Sequence, residues 1–314
     1  MEPVKAARCV LFAYHEMGHA CMEALLKMGA PISALFTHRD DAHEEIWWRS
    51  CADLAAQHGV PVYFDESSES AGAKIGALNP SIIYSFSYRH LIPETVLELA
   101  PLGAYNLHPS LLPSYRGRAP VNWVLVNGER ETGITLHHMV ARADAGDIVG
   151  QRAVAIDDSD NALTLYRKLV PLCVELITEL HPQIVAGTAP RRKMDIARGS
   201  YFGRRRPEDG RIDWRWPARR IFNLVRAVTH PYPGAFCFVN GRKLLVWEAK
   251  IGGENGLAGT PGRVVRITAD GAIEVAAGEG SVIVELAQFE GGAEGVAREA
   301  LSGTARGADT IQFD

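Results

Sequence analysis

The chain has 314 residues, of which 47% are hydrophobic and 22% charged, with a formal net charge of -4. That length exceeds the usual domain of ~100 to 200 residues and predicts two, each with enough apolar content for a packed core, while no run of ~18 apolar residues is present to span a bilayer. The mildly acidic balance, pI about 6.3, gives no global field for a polyanion, so neither nucleic acid nor a membrane is expected as a partner.

The first apolar run is interrupted by Tyr14, His15 and Glu16, which predicts a strand rather than a signal-peptide core. Five cysteines, Cys9, Cys21, Cys51, Cys173 and Cys237, are widely spaced with no C-x-x-C, so neither a disulfide framework nor a zinc knuckle is indicated, and cytoplasm is the expected compartment.

In chain order, Cys9 to Tyr14 predicts a strand, Met17 to Met28 a helix stopped by Gly29, and Ile32 to Thr37 a strand. Glu44 to His58 reads as a helix, Val60 to Phe64 as a strand, Ala71 to Leu78 as a weaker helix, and Ser81 to Phe86 as a strand. Helix Pro93 to Leu99 leads to strand Gly103 to Leu107. This alternation predicts an α/β fold: a mostly parallel, Rossmann-like sheet with helices on both faces. No G-x-G-x-x-G follows the first strand, which argues against a dinucleotide site.

After Gly133 the run ITLHHMV predicts a strand, and Ala162 to Leu180 a helix. Residues 191–210 are rich in arginine and read as a linker between a catalytic domain over 1–190 and a smaller domain over 211–305. In that second domain a helix at Pro217 to Val228 precedes short β-runs, with an Asn240-Gly241 hairpin signal between the first two. A small, mostly antiparallel barrel is expected.

Ligands of such parallel sheets bind beyond the carboxyl ends of the strands. Asn106 and His108 fall at one of those ends, two apart and therefore on the same side of an extended segment. A carboxamide and an imidazole aimed at one point suit a developing oxyanion in acyl transfer, and the histidine can move a proton at neutral pH. A carboxylate to orient the ring is available from Asp144 or Asp147. Asp144, in an irregular turn with small neighbours, is the better candidate, since Asp147 precedes a β-run.

Other features carry two readings. Arg116 and Arg118 could fork onto a phosphate or a carboxylate, or lie solvated in a Gly-rich loop. Arg204 to Arg206 could meet a diphosphate or belong to the linker. Trp47 and Trp48 could cover a base or another planar ring of a ligand, or anchor a helix in the core, whereas Trp214, Trp216 and Trp247 are expected to pack in the second domain. His137 and His138 point to opposite faces of a strand, so no metal site is expected there.

The stretch NLHPSLLPSYRGRAPVNWVLVNGERETGITLHHM, followed by ADAGDIVGQ, resembles the signature of the folate-dependent formyltransferase family, with N-x-H, S-L-L-P-x-x-x-G and a D-x-G loop. The likeness runs from the first strand to DIVGQ and resumes at GRIDWRW and VRAVTHPYPGAF, which is similar to the family's OB-like C-terminal barrel. Within the family, FAYHEMG, ALFTHRDD, SFSYRHLI and FGRRRPEDG most resemble the members that formylate UDP-4-amino-4-deoxy-L-arabinose for lipid A decoration and resistance to cationic antimicrobial peptides.

The resemblance implies 10-formyltetrahydrofolate as co-substrate, no metal, and a UDP-amino sugar as the small-molecule partner. It makes His108 the proton-handling catalyst, Asn106 the stabiliser of the tetrahedral intermediate, and Asp144 the carboxylate that raises the histidine pKa. His90, Leu91, Ile92, Arg118, Val140, Ala141, Arg142 and Ala143 become the expected folate contacts. Pro109 and Ala141 depart from the family's usual residues. No second Rossmann-like domain follows, so a separate decarboxylase is expected to supply the preceding step. Methionyl-tRNA formylation is the competing activity, against which stands the short, acidic THRDDAHEEI segment. A non-catalytic folate- or nucleotide-binding module would be expected to lack one of Asn106, His108 or Asp144.

Overall fold

The computed structural model describes residues 7–42, 44–64, 68–253, 260–301 and 312–314. Two compact units divide the chain: one contains residues up to Pro120, Glu131–Ala155 and Tyr166–Gly203, the other Val121–Arg130, Ile156–Leu165 and the residues from Arg204 onward.

In the first unit short apolar runs alternate with helices: β1 (Cys9–Ala13), α1 (His15–Lys27), β2 (Ile32–Thr37), α2 (Cys51–Gln57), β3 (Val62–Phe64), α3 (Ser68–Leu78), β4 (Ile82–Phe86), α4 (Glu94–Leu97) and β5 (Ala104–His108). β6 (Arg116–Gly117), β7 (Glu131–His138), β8 (Ile148–Ala155), the part of α6 (Ala162–Val185) from Tyr166 onward and β9 (Tyr201–Phe202) follow, while α5 (Pro120–Val126), between β6 and β7 in the chain, falls in the second unit from Val121. The seven-stranded sheet has the order β3-β2-β1-β4-β5-β7-β8. β1 to β5 are parallel, and β7 and β8 run antiparallel to their neighbours. All five residues of β1 and of β4 are buried, as expected where side chains on both faces of a parallel sheet are covered. On one face Val10, Phe12, Phe36, Ile75, Ile83 and Val96 form a single apolar cluster. The chain leaves β1 for β2 and β3 on one side and returns to β4 and β5 on the other, which places a topological switch between β1 and β4.

Two expectations differ here. The helix read over 44–58 is only α2, and residues 44–50 are irregular. Ser50 ends the irregular stretch by accepting a hydrogen bond from Asp53 N at 3.1 Å, an N-cap that starts the helix at Cys51. Trp47 and Trp48 instead pack against the His15 ring, with centroids 4.8 and 3.9 Å away. The stretch 191–210 is divided: residues up to Gly203 fall in the first unit, where Arg192 bridges Ile148, Arg191 pairs with Asp147, and β9 pairs with β6. Its backbone hydrogen bonds are made to the sheet and the β6 loop, so its arginine-rich composition did not imply a free linker.

The second unit contains α7 (Ala218–Val228), β10 (Ala235–Val239), β11 (Arg242–Ile251), β12 (Val264–Ile267), β13 (Ile273–Ala276), β14 (Ser281–Phe289), β15 (Gly295–Val296) and α8 (Ala297–Ala300). The antiparallel sheet runs β10-β11-β14-β13-β12, with β15 on β14. Asn240 and Gly241 both take positive φ, 51 and 74°, the conformation a tight hairpin between β10 and β11 requires. Phe313 bridges Val239 at the end of β10 and Gln312 bridges Arg263 just before β12, so these two residues join the two outer strands. Trp214 is buried with its ring 5.4 Å from that of Phe313, and Trp247 stacks on His230 at 3.8 Å. The expected end of this domain at 305 lies outside the described residues. No helix among the described residues is long and apolar enough to cross a membrane.

Candidate active site

Strand alternation turns Leu107 into the core and sets Asn106 and His108 together on the opposite side. The antiparallel neighbour β7 places His137 directly opposite Asn106, and Thr135 opposite His108. Cross-strand partners share a face, so four polar side chains converge. His137 Nδ1 donates to the His138 carbonyl at 2.8 Å, which leaves Nε2 to accept from Asn106 Nδ2 at 3.1 Å. That pairing fixes which end of the carboxamide faces the imidazole.

Asp144 reaches the same spot from the turn after β7, with φ 49°. Its Oδ1 is 3.6 Å from His108 Nδ1, 3.6 Å from His137 Nε2 and 3.4 Å from Asn106 Nδ2. Its Oδ2 accepts from Gly117 N at 2.9 Å. Burial pushes this carboxyl up, but the adjacent His108 and His137 rings and the Gly117 N–H together outweigh it, and the net shift is downward. Asp144 is therefore held ionised. Asp147, the other candidate carboxylate, is turned to Arg191 at 2.8 Å.

The irregular run after His108 is held by a compact set of bonds. Thr135 Oγ1 donates to the Ser110 carbonyl at 2.7 Å and accepts from Leu112 N at 3.1 Å, and Ser110 Oγ donates to the Ser114 carbonyl at 2.7 Å. His108 Nε2 donates to the Tyr115 carbonyl at 2.8 Å. Gly117 has φ 97°, and a Cβ there would lie 2.2 Å from the Phe202 carbonyl oxygen, so the β6–β9 pairing that aims its N–H at Asp144 requires glycine.

Arg116 is buried rather than solvated, and its Nε has no hydrogen-bond partner among the described residues. Arg118 is exposed, and its Nη2 donates to the Arg89 carbonyl at 2.9 Å. That bond ties the β6 loop to the segment carrying His90, Leu91 and Ile92. His90 is exposed, Leu91 is 72% exposed and Ile92 is half-buried. Val140, Ala141 and Arg142 are exposed and Ala143 half-buried. Two exposed apolar side chains, Leu91 and Val140, thus stand on the segments expected to meet the folate. Among the described residues no group of three His, Cys, Asp or Glu side chains is arranged to hold a metal.

Sequence reasoning missed His137, which it treated only as half of an adjacent pair. Its position on β7, two residues from Thr135, was readable; its register opposite Asn106 was not.

The formyl transferase family matches residues 52–179, and the formyl transferase C-terminal domain matches residues 205–305. The chain belongs to the formyl transferase family. Solved structures agree on the fold. HypX from Aquifex aeolicus, crystallised with tetrahydrofolic acid, superposes with a TM-score of 0.64 at 18% identity over 96% of this chain and 48% of HypX. The formyl transferase chain thus spans about half the length of HypX. WlaRD, a sugar 3N-formyl transferase crystallised with dTDP and 5-N-formyl-THF, gives 0.66 at 19% identity over 90% of this chain and 97% of its own. The N-formyltransferase of Helicobacter canadensis, in complex with folinic acid and dTDP-3-aminofucose, gives 0.69 at 20% identity, covering 90% and 99% of the two chains.

Proposed function

We propose that this formyl transferase moves the formyl group of 10-formyltetrahydrofolate to the amine of a sugar nucleotide, UDP-4-amino-4-deoxy-L-arabinose in the finer reading. The observation that carries it is the convergence of Asn106, His108 and an ionised Asp144 within 3.6 Å at the end of β5. The dTDP and 5-N-formyl-THF of the WlaRD structure and the dTDP-3-aminofucose and folinic acid of the Helicobacter canadensis structure support the substrate pair.

In this reading the uncharged sugar amine attacks the formyl carbon. Asn106 and His108 stabilise the oxyanion, and His108 relays a proton from the amine to N10 as the C–N10 bond breaks, giving a formamide and tetrahydrofolate. His108 Nε2 exchanges the Tyr115 carbonyl for substrate as the site fills, while Asp144 faces Nδ1 and offsets the charge the ring acquires in transit. His90, Leu91, Ile92, Arg118 and the turn Val140 to Ala143 contact the folate, with Leu91 and Val140 as apolar walls for the pteridine. The product serves lipid A decoration, with the amino sugar formed after an oxidative decarboxylation.

Mass detection of formylated product after incubation with 10-formyltetrahydrofolate and, separately, UDP-aminoarabinose, dTDP-amino sugars and methionyl-tRNA tests the assignment. Formylated sugar nucleotide is expected; product from methionyl-tRNA alone would overturn it.

A further inference from the structure

The register of the first sheet draws one row of side chains across six strands, on the face that carries Asn106. Tyr63 of β3, Phe36 of β2, Phe12 of β1, Ser85 of β4, Asn106 of β5 and His137 of β7 are successive cross-strand partners. The row is aromatic up to Phe12, whose ring stacks on that of Phe36 at 5.0 Å, and polar from Ser85 onward. Ser85 therefore stands between the apolar cluster and the Asn106–His137 pair, at the carboxyl end of β4, where the strand order switches. It is 6% exposed, and its hydroxyl has no hydrogen-bond partner among the described residues. A buried hydroxyl left unpaired weakens a fold, and alanine would fill the same place without that penalty.

The carboxamide beside it is short of donors. Asn106 Nδ2 carries two N–H bonds; one points to His137 Nε2 at 3.1 Å and the other to Asp144 Oδ1 at 3.4 Å. Only the longer of these can be released to a substrate without giving up the imidazole that orients the amide. His108, two residues along β5, brings a second donor in Nε2. The carboxamide's other neighbour in the row, one strand away at about 4.8 Å across the parallel β4–β5 pair, is Ser85. A hydroxyl hydrogen rotates about the C–O bond, so it can turn toward a charge that forms beside Asn106.

We infer that Ser85 is a further catalytic residue, whose hydroxyl donates a hydrogen bond to the formyl oxygen as that oxygen becomes an oxyanion. The amine nitrogen bonds to the formyl carbon and the C=O π pair moves onto oxygen. Donors from Ser85, Asn106 and His108 meet that charge before the C=O re-forms and the C–N10 bond breaks. Ser85 keeps its proton throughout. Its hydroxyl has no protein bond to give up, and its bond to the formyl oxygen strengthens as charge develops, so its effect falls on the transition state more than on binding. The inference rests on the formyl-transfer reading above but not on which amine attacks, because the oxyanion forms on the donor's own formyl group.

Single-turnover transfer from 10-formyltetrahydrofolate tests this on the full chain as wild type, Ser85→Ala and Ser85→Thr. The acceptor is whichever of UDP-4-amino-4-deoxy-L-arabinose, a dTDP-amino sugar or methionyl-tRNA the wild type formylates, at saturation, and donor affinity is titrated calorimetrically with 5-formyltetrahydrofolate. Ser85→Ala is expected to slow transfer roughly 10- to 100-fold with donor affinity and melting temperature undiminished, and Ser85→Thr, which keeps the hydroxyl, to recover most of the rate. A wild-type rate in Ser85→Ala would overturn the inference. Weaker donor binding with an unchanged rate at saturation would make Ser85 a ground-state folate contact and overturn it. Equal slowing in both variants would show that the volume of the side chain matters and not its O–H, and overturn it too. Formylation of methionyl-tRNA alone by the wild type removes the sugar-nucleotide reading, and the same variants then decide the inference on that acceptor. Wild type that formylates none of the three overturns both.

Discussion

Asn106 and His108 are held by different partners, and their variants are expected to fail differently. Asn106→Ala removes a donor and His108→Ala the proton carrier; each is expected to lower kcat on the order of 100- to 1000-fold, measured by formylated product per unit time. His137 acts through Asn106, as a positioning residue. Its Nε2 accepts the carboxamide N–H at 3.1 Å, so His137→Phe is expected to lower kcat roughly 2- to 10-fold with KM for both substrates unchanged, whereas His137→Gln, which restores an acceptor, recovers most of the loss. Equal loss in both variants would show that the ring merely packs. The spacing of Asn106 and His108 was legible in the sequence because strand alternation is local. The choice of Asp144 over Asp147 was argued from local composition, and only the fold brings Asp144 Oδ1 to 3.6 Å of His108 Nδ1. His137 was illegible as a partner because antiparallel register is a long-range property.

At the scale of elements, the apolar runs that became β1, β2, β4 and β5 were legible within a residue or two, since buried parallel strands are written as short continuous apolar stretches. The helix expected from residue 44 was not, because Trp47 and Trp48 are spent on the His15 ring and an N-cap at Ser50 sets the start. The β6–β9 pair was also unreadable: two-residue strands carry no periodic signal. Yet it matters to the site, because it holds the Gly117 N–H on Asp144. Gly117→Ala forces a Cβ against the Phe202 carbonyl at 2.2 Å and a side chain into φ 97°. Chemical denaturation is expected to show a loss of about 1–3 kcal/mol, with kcat falling alongside as Asp144 loses its anchor. A variant with wild-type stability and rate would show that this pair does not organise the turn.

Across the whole molecule, histidines whose charging burial opposes set a pH dependence of stability: buried His19 and His181, and half-buried His15 and His138, which are shifted most strongly. Burial, then Arg89, lowers His15 from 6.5 to about 3, and burial, then Arg191, lowers His138 to about 4. The unfolded chain binds these protons near pH 6.5 and the folded protein does not, so their contribution is complete above that pH and is lost as pH falls toward the folded values. Melting temperature is expected to drop between pH 7 and pH 4.5, and less steeply in His15→Asn, since asparagine tolerates the left-handed φ at that position. An identical slope in the variant would contradict the assignment. The two-unit organisation was legible from length and from the change to short β-runs, but the contributions of Val121–Arg130 and Ile156–Leu165 to the second unit were not, because chain order does not reveal which unit a segment packs in.

The account turns on the acceptor. With 10-formyltetrahydrofolate as donor, competing UDP-4-amino-4-deoxy-L-arabinose, dTDP-amino sugars and methionyl-tRNA in one reaction and identifying the formylated products by mass tests it most directly. Formyl on a sugar-nucleotide amine, abolished in His108→Ala, is the predicted result; formyl on methionyl-tRNA alone, or transfer that survives His108→Ala at the wild-type rate, would contradict it.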